Sequence, residues 1–442
     1  MKLFLVLIII FFLTNCSFDN KTGIWKDTSK INSKKIDKYN DLKDVQTSNI
    51  KFFDELKNLD KNYIFKLNKK IINKSWSDFF YSKGNYLDNF SYNNNNSIIF
   101  TGKKLTRRKI NEQILFDRNI LISTDQKGNI IIYSIKEKKI LHKYNFYKKK
   151  FKNIKKNIYI GIKNKILYVS DNIGYVYAYD FIDNKIIWAK DYKVPFRSNI
   201  KLANNKIFLS DQNNNLLILD KKDGDLLRKI PTEPILVKNN FVNNLSIYQN
   251  NLYFLNTFGS LYSIDITNFK INWFLNLNLS TNSNYYNLFN AKPILSINKN
   301  LIITTKNHLY SLDTKVGATK FKIPIQLKTS PIVTKSHIYL ITNNDILVAL
   351  NQNTGNIIYS YDIKKKLNLF TGKKISKLNI LFFRLIGNDL CVFLNDSKIV
   401  KFGIRGEVKE IQRLKKKIQS NPIFIDSSII YLDSSNRMII LD

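Results

Sequence analysis

Leu309-Tyr310-Ser311-Leu312-Asp313, followed by Gly317 and Phe321, is the stretch on which the fold turns. The apolar run reads as a strand, the Asp and Gly as a tight turn, and the residues around Phe321 as a second strand. Four other stretches repeat the arrangement. Val176-Tyr177-Ala178-Tyr179-Asp180 leads to Trp188, and Leu216-Leu217-Ile218-Leu219-Asp220 leads through Gly224 to Arg228. Leu261-Tyr262-Ser263-Ile264-Asp265 leads to Trp273, and Leu347-Val348-Ala349-Leu350-Asn351 leads through Gly355 to Tyr359. In all five the large residue stands eight positions after the Asp-like one. Where glycine occurs it stands four after it, a position that favours a residue tolerant of positive φ; Asn184 serves as well. The Asp carboxylate can accept hydrogen bonds from turn amides two residues on.

Degenerate copies run from Ser134 to His142 and from Phe402 through Gly406 to Glu410. An eighth begins at Ser428 and reaches its Asp-like position at Asp442. Ser134 to Asp442 spans 308 residues in seven steps, or 44 per repeat. Strand-rich repeats of that period predict an all-β, eight-bladed β-propeller of four-stranded antiparallel blades over residues 71–442. The eighth copy lacks its outer strand, so an N-terminal strand should close the ring and cover an open sheet edge. Lys70-Ile71-Ile72-Asn73-Lys74-Ser75-Trp76 has the spacing expected of that strand.

The N-terminus addresses the compartment. Lys2, an apolar run from Leu3 to Leu13 and then Thr14-Asn15-Cys16 read as a signal peptide over residues 1–15. The run is too short to span a bilayer, which needs about 20 apolar residues. Residues 16–70 are polar and read as a tether, with a short helix over 49–59. Cys391, in an apolar strand pattern, reads as a small core residue without a disulfide partner.

A formal charge of +37, from 71 Lys+Arg against 34 Asp+Glu, raises nucleic acid or an anionic surface as partner. The lysines are spread along the whole chain, amid Asn, Ile, Phe and Tyr whose codons are A/T-rich. That argues for base composition and against a nucleic-acid ligand. An anionic membrane or acidic protein fits the charge better.

Two resemblances add to this reading. Leu13-Thr14-Asn15-Cys16 resembles the lipobox of bacterial lipoproteins, with Asn15 departing from the small residue usual before the cysteine. The resemblance implies a diacylglycerol on Cys16, and Ser17 in place of Asp implies the outer membrane, with the body facing the periplasm. The repeat resembles the pyrroloquinoline-quinone-type propeller repeat. With the lipobox, it is similar to the BamB family of outer-membrane β-barrel assembly lipoproteins. That resemblance implies a monomeric scaffold subunit of a hetero-complex, without cofactor, binding the POTRA domains of a BamA-like barrel protein beside other assembly lipoproteins. It places partner contacts on Val194, Phe196 and Arg197, in Val194-Pro195-Phe196-Arg197. The family's second contact loop is acidic, whereas Phe241-Val242-Asn243-Asn244 is not.

A quinone-dependent dehydrogenase or a general periplasmic binding propeller are the alternatives. Dehydrogenases of this repeat carry long insertions, a calcium site and a channel Asp, and a spacing of 44 leaves little room for insertions. His142, His308 and His337 lack metal-ligand spacing. No Gly-x-Ser-x-Gly or phosphate-binding glycine loop is present.

Overall fold

A computed structural model describes residues 16–18, 25–27, 52–147, 149–234, 242–278 and 289–442. The chain divides into two units, 1–51 and 52–442. In the first, strands Cys16–Phe18 and Trp25–Asp27 pair antiparallel, with Cys16 opposite Asp27. The proposed leader, residues 1–15, lies outside the described residues.

The second unit is an eight-bladed propeller, each blade a four-stranded antiparallel sheet. Blade 1 runs Ile110–Asp117, Ile120–Asp125, Asn129–Ser134 and Lys139–Asn145 from the channel outwards. Blades 2 to 7 follow in sequence, ending with Val408–Arg413. The strands differ in burial as their place requires. In blade 5 the second strand, Asn300–Thr304, is buried throughout, while the outer strand, Thr319–Pro324, is largely exposed. Sandwiched strands bury both faces and read as continuous apolar runs, which is what made the repeat visible. The core lies between blades: Tyr168, Val176 and Ala178 of blade 2 pack on Ile207, Leu209, Leu217 and Leu219 of blade 3.

The Asp-like residues do cap their turns. Asp313 accepts from the amides of Lys315 and Val316, and Asp180 from those of Ile182 and Asp183. The glycines four residues on have positive φ, 77° at Gly224 and 72° at Gly317. A second demand acts on them. A Cβ on Gly317 would lie 2.8 Å from the ring of Trp273, the eighth-position aromatic of the preceding blade. On Gly224 it would lie 2.5 Å from Trp188, and on Gly355 2.7 Å from Phe321. The indole of Trp273 also donates to Thr314 O (3.2 Å), and that of Trp188 to Lys221 O (3.2 Å). Each aromatic thus clamps the next blade's turn. Where the eighth position is Arg228, the next blade's turn carries Phe269 in place of glycine.

Gly317→Ala is expected to cost about 2–4 kcal/mol, combining left-handed backbone strain with overpacking against Trp273. Gly372, φ 66° with open space around its Cβ direction, supplies the control. Gly372→Ala should cost only about 1 kcal/mol. Denaturant unfolding of both variants checks this; equal losses would remove the Trp contact from the explanation.

Blade 8 is closed by an N-terminal strand, as expected, but by a different one. Ile423–Ile425, Ser428–Leu432 and Arg437–Leu441 are joined by Ile98–Lys104, with Ile98 opposite Leu441 and Lys104 opposite Arg437. Lys70–Trp76 is not the outer strand. Trp76 is 4 % exposed, which suits the channel and not a solvent-facing edge. The tether reading of residues 16–70 changes over 52–70 and the helix over 49–59 is absent from 52–59, while residues 19–24 and 28–51 lie outside the described residues. Residues 52–70 form no helix and lie along the blades. Phe53 N donates to Pro324 O (2.9 Å), and Lys57 pairs with Ser360 of blade 6. Tyr63 Oη meets Nε2 of the buried His337 at 3.0 Å. The compact unit therefore begins at Phe52, not at residue 71. Burial lowers the His337 pKa.

Candidate functional site

The eight inner strands enclose a central channel, and all run from one face to the other. The face at which they begin is called the mouth. At the far end, residues 71–92 fold into the channel and floor it. Trp76 pairs with Phe116 of blade 1 (2.7 and 2.9 Å), and Ile162 N of blade 2 donates to Ser77 O (2.8 Å). Ile247 N of blade 4 donates to Lys83 O (2.9 Å), Ser296 N of blade 5 to Gly84 O (2.8 Å), and Gly387 N after blade 7's inner strand to Phe90 O (2.8 Å). Asn73 Nδ2 donates to Phe424 O of blade 8 (2.9 Å). Inner-strand ends expose backbone groups that need partners, and the plug supplies them.

Two side-chain contacts lock it. Asn85 Nδ2 donates to Leu245 O and Ile294 O, each at 2.8 Å. Lys201 of blade 3, fully buried, reaches Asp78 Oδ1 and Oδ2 at 2.9 and 2.8 Å and Ser82 O at 3.0 Å. Burial lowers the Lys201 pKa against the pull of Asp78. Gly84 fits because a Cβ would lie 2.3 Å from Ser296 O.

Above the plug stands a cup of about 770 Å³. Trp76, Phe79, Phe80 and Tyr86 form an aromatic floor, and Phe382 and Leu381 add apolar wall. Lys109, Lys292 and Arg384 supply cations, Lys328 is paired with the buried Asp345, and Glu112 is the one carboxylate in the lining among the described residues. Arg384 donates through Nη1 to Phe383 O (2.8 Å), while its Nε is buried without a partner among the described residues. Burial pulls its pKa down to about 10. Lys292, whose Nζ donates to Lys328 O (3.2 Å), is lowered by burial too. The cup suits an apolar group carrying negative charge. No signal in the repeat pointed to it, because its residues come from eight blades and the plug.

The loop Val194-Pro195-Phe196-Arg197 lies at the mouth, between blades 2 and 3. Phe196 is fully buried, in the cluster with Tyr168, Val176 and Ile207. It is a core residue and not an exposed anchor. Val194 and Arg197 are half-exposed. Asn243 N donates to Arg197 O (2.8 Å), and Asn243 Nδ2 to Ser210 Oγ (2.8 Å), so the next loop is bolted to this one. Phe241 lies outside the described residues. Glu233 is an acid of that connection, but its carboxylate is held by Asn256, Ser260 and Tyr262.

Residues 101–361 match the family model described as outer membrane protein assembly factor BamB. The chain belongs to the BamB family. No curated protein matches the chain. Among solved structures, BamB from Moraxella catarrhalis has a TM-score of 0.60 at 12% identity, covering 78% of this chain and 100% of that one. The quinohemoprotein alcohol dehydrogenase from Comamonas testosteroni has a TM-score of 0.61 at 9% identity, covering 83% and 80%. A europium-containing methanol dehydrogenase has a TM-score of 0.57 at 9% identity, covering 83% and 89%. At such identities these likenesses establish the propeller fold, which BamB and the dehydrogenases share.

Cys391 has none of the features of a reactive thiol. It is buried in the second strand of blade 7, and burial pushes its pKa up to about 12. In the full chain with Cys16→Ser, Cys391 should resist a thiol reagent until denaturant is added. Rapid labelling of the native protein would contradict its placement.

Proposed function

We propose that this chain is a non-catalytic scaffold of outer-membrane β-barrel assembly. It is anchored through a lipid on Cys16, faces the periplasm, and binds the POTRA domains of a BamA-like barrel protein. Membership of the BamB family carries this reading. The cup's chemistry supports it against the quinone-dependent alternative. Calcium takes six to eight oxygen ligands, with carboxylates prominent among them. Among the described residues the cup lining offers Glu112 as its one carboxylate, beside Lys109, Lys292 and Arg384, and no cluster of three His, Cys, Asp or Glu suited to a metal occurs. This donor set does not fit a calcium-held quinone.

Co-purification from membranes in mild detergent tests the scaffold. A BamA-like barrel protein should be retained with the chain, and its absence would remove the main support. Titration with pyrroloquinoline quinone and calcium tests the alternative, where stoichiometric binding would favour the enzyme. Mass spectrometry of the mature N-terminus checks the anchor, which Cys16→Ala should abolish.

A further inference from the structure

Beside the cup, on the same mouth face, a separate groove of about 870 Å³ runs along blade 1. Its lining holds eight cations: Lys104, Arg107, Arg108, Lys127, Lys143, Lys149, Lys152 and Lys156. Among the described residues no carboxylate lines it, and none of the eight forms an ion pair. Here charge converges from four segments of chain. Two of the chain's nine arginines stand side by side in it, although lysine dominates the overall charge.

The groove is built on ordered backbone. Asn436 Nδ2 donates to Thr106 O (3.0 Å) and Arg108 O (2.8 Å), and Thr106 Oγ1 to Asp125 Oδ2 (2.9 Å). Lys127 Nζ donates to Lys152 O (3.0 Å), docking the opposite wall. Lys156 is 1 % exposed. Its ammonium donates to Phe151 O and lies 5.1 Å from the centroid of the Tyr147 ring. The nearest acids are committed elsewhere. Asp125 accepts from Thr106, Lys127 N and Asn129, and Asp171 from Tyr147 Oη and the amides of Ile173, Gly174 and Tyr175. Like charges that share one groove repel unless an anion joins them.

We infer that this groove is a binding site for an anion bearing clustered phosphate groups, either soluble or displayed as a lipid headgroup. Phosphates concentrate charge in a volume that a peptide, with at most one carboxylate per residue, does not match. Guanidinium groups suit phosphate oxygens bidentately, and lysines act as point charges beside them.

The test uses the full chain with Cys16→Ser, so that no lipid anchor confuses the membrane arm, and inorganic tripolyphosphate in calorimetric titration. Tripolyphosphate should bind, and Arg107→Gln/Arg108→Gln/Lys143→Gln should weaken it at least about tenfold. A charge-matched control, Lys365→Gln/Lys366→Gln/Lys373→Gln, lies on and just after the helix following blade 6 and should leave affinity unchanged. Flotation with phosphatidylcholine vesicles, with and without phosphatidic acid, separates the sources. Binding to tripolyphosphate alone assigns a soluble ligand, and binding to phosphatidic acid vesicles as well assigns a headgroup. No binding to either, equal loss in both triple variants, or equal competition by polyglutamate would each overturn the assignment.

Discussion

Phe196→Ala is expected to destabilise the propeller by about 3–5 kcal/mol, the cost of emptying a buried aromatic site. The ring is fully buried, sits 5.7 Å edge-on from Tyr192, and fills the space between blades 2 and 3. Its backbone is pinned as well, Phe196 N donating to Asp171 O at 2.9 Å. Arg197→Ala, at a half-exposed side chain, should stay within about 0.5 kcal/mol of the parent. The pair separates two roles that a double substitution would merge. Chemical denaturation reads the first, and retention of a BamA-like partner by Arg197→Ala reads the second. A Phe196→Ala variant as stable as the parent would place that ring outside the core.

Asp78→Ala should cost a comparable amount, about 3–5 kcal/mol, because it strands a buried ammonium. Lys201 would keep only Ser82 O among its present partners. The double variant Asp78→Ala/Lys201→Met should recover most of the loss, since an apolar pair leaves nothing unpaired. The pH dependence has a definite sign. Burial already holds the Lys201 pKa below its ordinary value. Losing Asp78 lowers it further, so between the folded and unfolded values the unfolded chain binds more protons. The deficit of Asp78→Ala relative to the parent is then full below the variant's folded value, and it shrinks as pH rises from there to the parent's own lowered value, above which it stays constant. A deficit that grew with pH would overturn this account. Limited proteolysis within 71–92 offers a second readout, because the plug loses its bolt to blade 3.

The clamp between blades shows how far local pattern reaches. Asp313, Gly317 and Phe321 are spaced by the turn and strand they build, so their periodicity is written along one blade. That gave the blade count and the strand order. The reason Gly317 must be glycine is only half local. Its positive φ belongs to its own turn, but Trp273, 44 residues earlier, forbids the Cβ. No spacing rule within one repeat contains that contact.

The identity of the closing strand escapes local pattern for a related reason. Lys70–Trp76 and Ile98–Lys104 both carry apolar residues at strand-like spacing. Only the ring decides which one meets Arg437–Leu441 and which one sends a tryptophan into the channel. Phe196 and Arg197 adjoin in sequence, yet one is buried in the core and the other half-exposed, because blade 3 covers only the first. The eight-bladed propeller was thus determined by sequence alone, since each repeat encodes its strands and turns through neighbours a few residues away. The plug, the cup and the cationic groove were decided by tertiary structure, because each is assembled from residues that only ring closure brings together.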